Sequence, residues 1–300
     1  MSERKIISTF QPFDFKNQFI DFAPHQEILK GSVNDFFIHA LHDKNIKLRL
    51  PFPPHRKTVN DFLFVTNGYV KRQLGIVNYN VRQNELMIIP KFQISTTEFH
   101  SEDLKGFYCH FSDSFLTNNP FLLQWKPTDF ENTKIVLSQE TANRIHQLLE
   151  TINNLYQQNW IQNKELIAQY LRTVLTEITF QNKYAPSSLD KKKDLVLKYI
   201  QLVNLNLNKG LKISNYAELL HISPNHLNKI IKNQLSKSAQ EIHNEIILQE
   251  AKVLLLQTSI DISEIAFDLG FNDVSYFGKF FRKHTNQSPM EYRKMIEKYQ

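Results

Sequence analysis

The last hundred residues contain one sequence pattern twice, and this repeat restricts the fold more than any other feature. When positions 50 residues apart are compared, apolar residues recur at helical spacing in both copies. Gly270 suits a tight turn after the first helix of the second copy, and Ser223-Pro224 suits the start of the second helix in the first copy. The pattern predicts an all-α domain with two helix-turn-helix units.

The second helix of each unit has an apolar face and a polar, basic face. The apolar positions are Leu227, Ile230 and Ile231 in the first unit and Phe277, Phe280 and Phe281 in the second. One polar, basic face is typical of any solvated helix. Two such faces, each preceded by a supporting helix and a turn, favour binding to double-stranded DNA.

The residue types on the polar faces predict two kinds of DNA contact. Asn can pair with adenine, Lys can reach guanine, and glycine lets a helix approach the groove closely. Base contacts are expected from Asn225, Asn228, Lys229, Ser275, Gly278 and Lys279. Phosphate contacts are expected from Lys232, Arg282 and Lys283.

The segment between the two units predicts one long helix. Ser238 and Glu241 have the spacing of a capping box, and apolar residues continue from Ile242 to Leu255. About 20 helical residues extend roughly 30 Å, close to the roughly 34 Å between successive major-groove segments. One chain is therefore expected to read two adjacent segments.

Before the repeat, short β-rich segments alternate with turn signals. Examples are Asp61 to Thr66 and Tyr69 to Leu74, which are separated by the pair Asn67-Gly68. Because both residues of this pair tolerate positive φ, the pair predicts a β-hairpin. Further β-rich segments up to Phe111 predict an antiparallel barrel or sandwich that extends to about residue 130.

After Pro127 the apolar spacing becomes helical and predicts helices over about residues 138–183. One apolar stripe includes Ile145 and Leu149, and the next runs from Ile167 to Ile178. Such stripes must be covered, either by the β domain of the same chain or by a second copy. We expect the second arrangement, a homodimer contact, because operators are often two-fold symmetric.

The segment from Tyr184 to Ser188 combines a proline with two serines and is the best candidate for a linker. It divides the chain into residues 1–185 and residues 186–300. The predicted fold class is α+β. The first domain is an antiparallel β-barrel with a helical dimerisation segment, and the second is all-α.

The C-terminal residues resemble the AraC/XylS family of bacterial regulators over about residues 190 to 294. The resemblance is carried by Ile262-Ser-Glu-Ile-Ala-Phe-Asp-Leu-Gly-Phe271, Ser275-Tyr-Phe277, Phe280-Phe-Arg-Lys283 and Ser288-Pro-Met-Glu-Tyr-Arg293. It implies a transcriptional regulator, commonly an activator, with an N-terminal cupin-like sensor domain. The chain departs from the family where Leu235 or Ser236 and a position near Asn286 replace glycine, and where Ile247 replaces arginine.

Composition agrees with a cytoplasmic regulator. The net charge of +6 weakly favours a polyanionic partner, and the single cysteine, Cys109, fits a reducing compartment. No apolar segment has the length of a signal peptide core or a membrane span. Besides promoter DNA, we expect RNA polymerase and a small-molecule effector as partners.

The first half contains few signs of catalysis. His55, His100 and His110 do not have the spacing of a metal site, so no metal, no cofactor and no enzymatic activity are expected. The alternative is a metal-dependent cupin enzyme or small-molecule binder whose helical C-terminus docks a protein. For an effector pocket, the candidate lining residues are His55, Arg72, Tyr79 and Tyr108.

Overall fold

The computed structural model describes residues 9–22, 33–116, 133–184, 191–257 and 259–297. Contacts divide the chain into two compact units, Thr9–Pro186 and Ser187–Gln300. The proposed linker falls outside the described residues except for Tyr184, which ends a helix.

The first unit begins with helix α1 (Pro12–Phe19), and its strands follow. The strands are β1 (Ile20–Phe22), β2 (Phe36–Ala40), β3 (Ile46–Leu48), β4 (Phe52–His55), β5 (Asn60–Asn67), β6 (Tyr69–Leu74), β7 (Val77–Arg82), β8 (Glu85–Ile89), β9 (Ser95–His100), β10 (Lys105–Phe111) and β11 (Lys134–Val136). Helix α2 (Gln139–Tyr184) ends the unit and is interrupted at Asn159, whose φ of −165° and ψ of 96° are not helical.

The strands form three antiparallel sheets. Their orders are β11-β8-β5-β10-β2, β4-β9-β6-β7 and the short pair β1-β3. The predicted sequence of an antiparallel β region followed by helices is confirmed. Within the described residues the sheets remain open at their edge strands, and no closed barrel is present.

Strand β5 is central to the packing of this unit because both of its faces are buried. Phe62 and Phe64 point to one side and pack with the apolar face of α2, and the buried Cys109 fills space in the same cluster. Leu63 and Val65 point to the other side and pack with residues of the four-stranded sheet. The unit is therefore a helix layer on a five-stranded sheet, with the four-stranded sheet on its other face.

The predicted hairpin at Asn67-Gly68 is wrong. Strands β5 and β6 are consecutive but belong to different sheets, so Gly68, with φ of 72°, makes a corner between sheets. The Asn67 amide donates to the Asp103 backbone oxygen at 2.8 Å, which ties the corner to another loop. The tight hairpin lies one strand later, where Leu74 pairs with Val77 across Gly75 and Ile76.

The second unit is helical. Its helices are α3 (Lys191–Leu205), α4 (Ile213–Leu219), α5 (Pro224–Leu235), α6 (Ala239–Gln257), α7 (Ile262–Asp268), α8 (Val274–Thr285) and α9 (Pro289–Glu297), with a short 3-10 helix at Leu207–Lys209. Helices α4 and α5 form the first helix-turn-helix unit, and α7 and α8 form the second. Helix α6 joins them as predicted.

Gly210 and Gly270 bring the second helix-turn-helix unit into contact with the loop that follows α3. Both glycines have positive φ, 56° and 76°. A Cβ atom on Gly270 would lie 2.6 Å from the Gly210 nitrogen, and one on Gly210 would lie 2.8 Å from the Gly270 oxygen. Only glycine permits this backbone approach.

Candidate nucleic-acid interface and sensor pocket

Helix α5 presents the first polar face. The Ser223 hydroxyl accepts a hydrogen bond from the His226 amide at 3.2 Å, which caps the helix start as predicted. Leu227 and Ile231 are fully buried, so the helix has one fixed inward side. The outward residues Asn225, Asn228, Lys229 and Lys232 are all exposed.

Helix α8 presents the second polar face. Asp273 caps this helix by accepting from the Tyr276 amide at 3.0 Å, and this hydrogen bond lowers the pKa of the Asp273 carboxyl. Phe277 and Phe281 are fully buried. The outward residues Ser275, Lys279, Arg282 and Lys283 are exposed, and Gly278 between them is half-buried. A Cβ atom on Gly278 would meet no atom within 4 Å.

The repeat is not uniform. Helices α4 and α7 begin at Ile213 and Ile262, 49 residues apart, whereas α5 and α8 begin at Pro224 and Val274, 50 residues apart. The second turn therefore contains one additional residue. At a constant spacing of 50 residues, the second helices of the two copies align with each other, whereas their supporting helices are out of alignment by one residue.

The helix ends explain two departures from the AraC/XylS pattern. Ser236 and Asn286 follow α5 and α8 with φ of 57° and 61°, the left-handed conformation that favours glycine. After each of them, a capping box starts the next helix. Ser238 and Glu241 exchange hydrogen bonds of 2.7 and 3.2 Å, and Ser288 and Glu291 exchange bonds of 2.6 and 3.2 Å.

Asn228 makes a contact that the sequence did not reveal. Its side-chain oxygen accepts from the backbone amide of Ala239, the first residue of α6, at 2.9 Å. Fifty residues later the corresponding positions are Gly278 and Pro289. Because proline has no amide hydrogen, the second helix-turn-helix unit needs no such acceptor. The difference between Ala239 and Pro289 was the available sequence signal.

Arg282 also has a partner within the chain. Its Nη2 lies 3.3 Å from the Glu291 carboxylate, and both side chains are more than half exposed. A pair this exposed contributes little stability, so Arg282 can exchange it for a phosphate at low cost.

The first unit contains a cavity of about 560 Å³, including the space at its open side. Three of the four predicted pocket residues, His55, Arg72 and Tyr108, line it. Tyr79 is not among the lining residues. It packs against the core between the two sheets, and burial raises its pKa to about 12.

A buried charge cluster forms one wall of the cavity. Lys57 Nζ lies 2.5 Å from Asp61 Oδ2 and donates to the Tyr108 oxygen at 2.9 Å. The Tyr108 hydroxyl donates to Asp61 Oδ1 at 2.9 Å, and Arg72 Nη2 lies 3.6 Å from Asp61 Oδ2. Sequence reasoning missed Lys57 and Asp61, although an aspartate at the start of the apolar strand β5 was a usable signal.

Buried histidines surround this cluster. Burial lowers the pKa of His39 to about 4 and that of His110 to about 4. Burial and, next, the Lys57 charge lower the pKa of His55 to about 3. These three rings are neutral near pH 7. In the described part of the chain, no three His, Cys, Asp or Glu side chains are arranged to hold a metal ion.

Helix α2 does not expose the two apolar stripes read from the sequence. Ile145, Leu149, Ile167 and Ile178 are fully buried against the five-stranded sheet of the same unit. The stripes are covered within the chain and therefore give no reason for a second copy. No helix in the described ranges has the length and apolar character to cross a membrane.

Comparisons with known proteins give a family match in the second unit. The family described as "Helix-turn-helix domain" matches residues 216–295. The lactose operon transcription activator of Staphylococcus xylosus is 32% identical over 168 residues, which are 54% of this chain and 59% of that protein. The chain thus covers less than two thirds of this relative.

A second relative aligns along most of its length. The transcriptional activator RhaS of Mannheimia succiniciproducens is 24% identical over 279 residues, which are 89% of this chain and 99% of that protein. Among solved structures, the C-terminal domain of AraT, a response regulator from Geobacillus stearothermophilus, is 31% identical. That match covers 34% of this chain and 84% of that domain, with a TM-score of 0.33.

Proposed function

The C-terminal unit is a helix-turn-helix domain of the AraC family, and from this we propose that the chain is a sequence-specific, DNA-binding transcriptional regulator. One observation carries the proposal. Helices α5 and α8 each expose a polar, basic face, and the helix that joins their two helix-turn-helix units, α6, has 19 residues and a length of about 29 Å. This length suits two adjacent major-groove segments read by one chain.

Within this proposal, the outward residues divide into two groups. Asn225, Lys229, Ser275 and Lys279 contact base edges, and Gly278 allows close approach. Asn228 belongs to the same group through its amide nitrogen, since its oxygen already accepts from Ala239. Lys232, Arg282 and Lys283 contact phosphates.

We propose activation as the direction of regulation, with RNA polymerase as a further partner. Both relatives described above are named as activators. Because the relatives are regulators, we propose that this chain is a regulator and not an enzyme. A protein that acts on promoter DNA works in the cytoplasm of a bacterium.

We also propose that residues 1–185 form a sensor domain, that residues 186–300 form the DNA-binding domain, and that the chain is a homodimer. The two-fold symmetry common among operators supports the dimer. The outward side of α2 is the proposed contact, where Ile161 is 84% and Leu166 46% exposed. The cavity beside Arg72 supports a small-molecule effector in the sensor domain.

Alanine variants test the assignment of base and phosphate contacts. Lys279→Ala should reduce discrimination between specific and nonspecific DNA by about 1–3 kcal/mol, because a lost base contact affects only the correct sequence. Arg282→Ala should weaken binding to all DNA alike and reduce the salt slope by about one.

Fluorescence anisotropy across a salt series measures both quantities. It uses one duplex that the protein binds specifically and one duplex of scrambled sequence. Lys71→Ala, at an exposed position of β6 in the other unit, is the matched control and should change neither. Equal losses on both duplexes for Lys279→Ala would refute its role as a base contact.

A further inference from the structure

The cavity in the first unit contains two buried polar atoms without a partner among the described residues. They are Nε of Arg72 and Nε2 of His55. Arg72 is 6% exposed and His55 is fully buried, and both line the cavity. A buried donor or acceptor without a hydrogen bond is unfavourable, because it has lost its bonds to water and gained none in return, so each atom indicates a missing partner.

The charges of the cluster show which partner Arg72 needs. Among the described residues, Asp61 is the carboxylate paired with Lys57 and Arg72, and it already accepts from Lys57 at 2.5 Å and from the Tyr108 hydroxyl at 2.9 Å. Burial alone would raise the pKa of Asp61, but the Lys57 and Arg72 charges keep it below its ordinary value. Arg72, at 3.6 Å, is therefore a buried cation in excess of the negative charge that the described residues place in this cluster.

His55 needs a different partner. Its Nδ1 lies 2.8 Å from the Pro53 backbone oxygen, so the proton of the neutral ring is on Nδ1. Nε2 is then a hydrogen-bond acceptor and requires a donor such as a hydroxyl group. The ring is held in place by Phe15, whose centroid lies 4.3 Å away.

The remaining lining is mainly apolar. Its apolar residues include Phe15, Phe52, Leu63, Val70 and Leu104. A ligand that fills the cavity therefore has an apolar body in addition to its polar groups.

We propose that this cavity binds a small hydroxycarboxylic acid. Its carboxylate pairs with the Arg72 guanidinium, its hydroxyl donates to His55 Nε2, and its apolar part packs against the aromatic and aliphatic lining. Arg72 supplies charge and direction, because a guanidinium recognises a carboxylate through a planar fork of N–H donors. The binding step stands without the DNA-binding function, whereas its regulatory meaning rests on the proposed function.

Isothermal titration calorimetry of the full-length protein without DNA tests the binding step. The probes are lactate, 3-hydroxybutyrate, mandelate and 4-hydroxyphenylacetate, which differ in the separation of hydroxyl and carboxylate or in the size of the apolar group. Each is compared with its amide and with the acid that lacks the hydroxyl. At least one acid should bind about tenfold or more tightly than both analogues, as expected for hydrogen bonds to charged and buried groups.

Variants connect the discrimination to individual side chains. Arg72→Gln should remove the preference for acid over amide, and Arg72→Lys should retain it. His55→Phe, which keeps an aromatic ring in the cluster, should remove the preference for the hydroxyl group alone. Arg82→Gln, at an exposed position of β7, is the matched control and should change neither preference.

If Arg72→Gln does not fold, as judged by tryptophan fluorescence, the Arg72→Lys and His55→Phe comparisons still decide the question. Equal binding of acids and amides, or no binding by any probe, would overturn the proposal. Acid binding that leaves DNA affinity unchanged would keep the site and refute only its regulatory role. Loss of DNA binding with acid binding intact would refute the proposed function and leave the site standing.

Discussion

At the scale of single residues, Asn228 is a side chain with two demands on it. Its oxygen accepts from the Ala239 amide, and the residue is exposed on the proposed DNA face. In the second helix-turn-helix unit, Gly278 and Pro289 stand at the corresponding positions, so no side chain there has to serve both functions. Pro289 is buried, so this site accommodates the proline ring.

A double-mutant cycle tests the positioning role of Asn228. Asn228→Ala should lower the free energy of unfolding by about 1–2 kcal/mol, because it leaves the Ala239 amide without its acceptor. In the background Ala239→Pro the same change should cost less, with a coupling of at least about 0.5 kcal/mol. Urea unfolding followed by far-UV circular dichroism measures both values. Strict additivity would contradict the positioning role.

The buried histidines of the first unit link its stability to pH. Folding lowers the pKa of His39, His55 and His110. Between the folded and the unfolded pKa, these histidines therefore bind protons in the unfolded chain but stay neutral in the folded chain. For a group with a lowered pKa, the stability is fully present above the unfolded pKa of about 6.5. It is lost as pH falls toward the folded value.

Below about pH 6.5 each of these histidines should reduce the free energy of unfolding by about 1.4 kcal/mol per pH unit. Urea titrations between neutral pH and about pH 5 measure this slope by tryptophan fluorescence. The signal reports on the first unit, because Trp125 and Trp160 both belong to Thr9–Pro186. His39→Gln should remove about a third of the slope, and His42→Gln, at an exposed position, is its control. A flat profile would contradict the buried neutral rings.

At the scale of elements, helix α8 contains a glycine where its own stability would favour another residue. Gly278 lies in the interior of α8, and a Cβ atom there would meet open space. Glycine in a helix interior costs about 1 kcal/mol relative to alanine. The absence of a side chain therefore has no explanation within the free protein, but it would allow closer approach to a DNA groove.

Gly278→Ala should accordingly separate stability from binding. The free energy of unfolding should rise by about 1 kcal/mol, from helix propensity alone. Affinity for the specific site should fall, since a methyl group would lie between helix and groove. Urea unfolding and anisotropy measure the two effects, with Gln169→Ala, exposed on α2, as the control. Unchanged DNA affinity would refute the close approach.

Elements were predictable from the sequence where the signal is local. Strand β6 has the predicted bounds, and the Ser223 cap and the Ser238-Glu241 capping box form as predicted. Sheet membership was not predictable in the same way. Asn67-Gly68 has the local character of a hairpin turn, but β5 is buried between two layers and pairs with β8 and β10 instead.

At the scale of the whole molecule, the two sites differed in how far sequence could define them. The proposed DNA contacts lie on two helices, and helical periodicity identifies an outward face without knowledge of the fold. The cavity depends on Lys57, Asp61, Arg72 and Tyr108, which long-range strand packing brings together. Three lining residues, His55, Arg72 and Tyr108, were predicted from residue type, whereas Lys57 and Asp61 were not predicted.

The proposed function assigns ligand binding to the first unit and DNA binding to the second. A ligand can change this reading only if it favours one arrangement of the protein over another. The stripes of α2 are buried in the monomer, so the proposed dimer depends on other residues of that helix. The proposed DNA contacts all lie within Ser187–Gln300 and require neither the ligand nor the dimer.

Binding of the full-length protein to genomic DNA fragments, including its own upstream region, across a salt series tests whether the chain is a sequence-specific DNA-binding protein. A few fragments should be retained selectively. The logarithm of affinity should fall steeply with the logarithm of salt concentration, by about 0.9 per phosphate contacted. Absence of binding at low salt, by protein whose circular dichroism shows it to be folded, would contradict it.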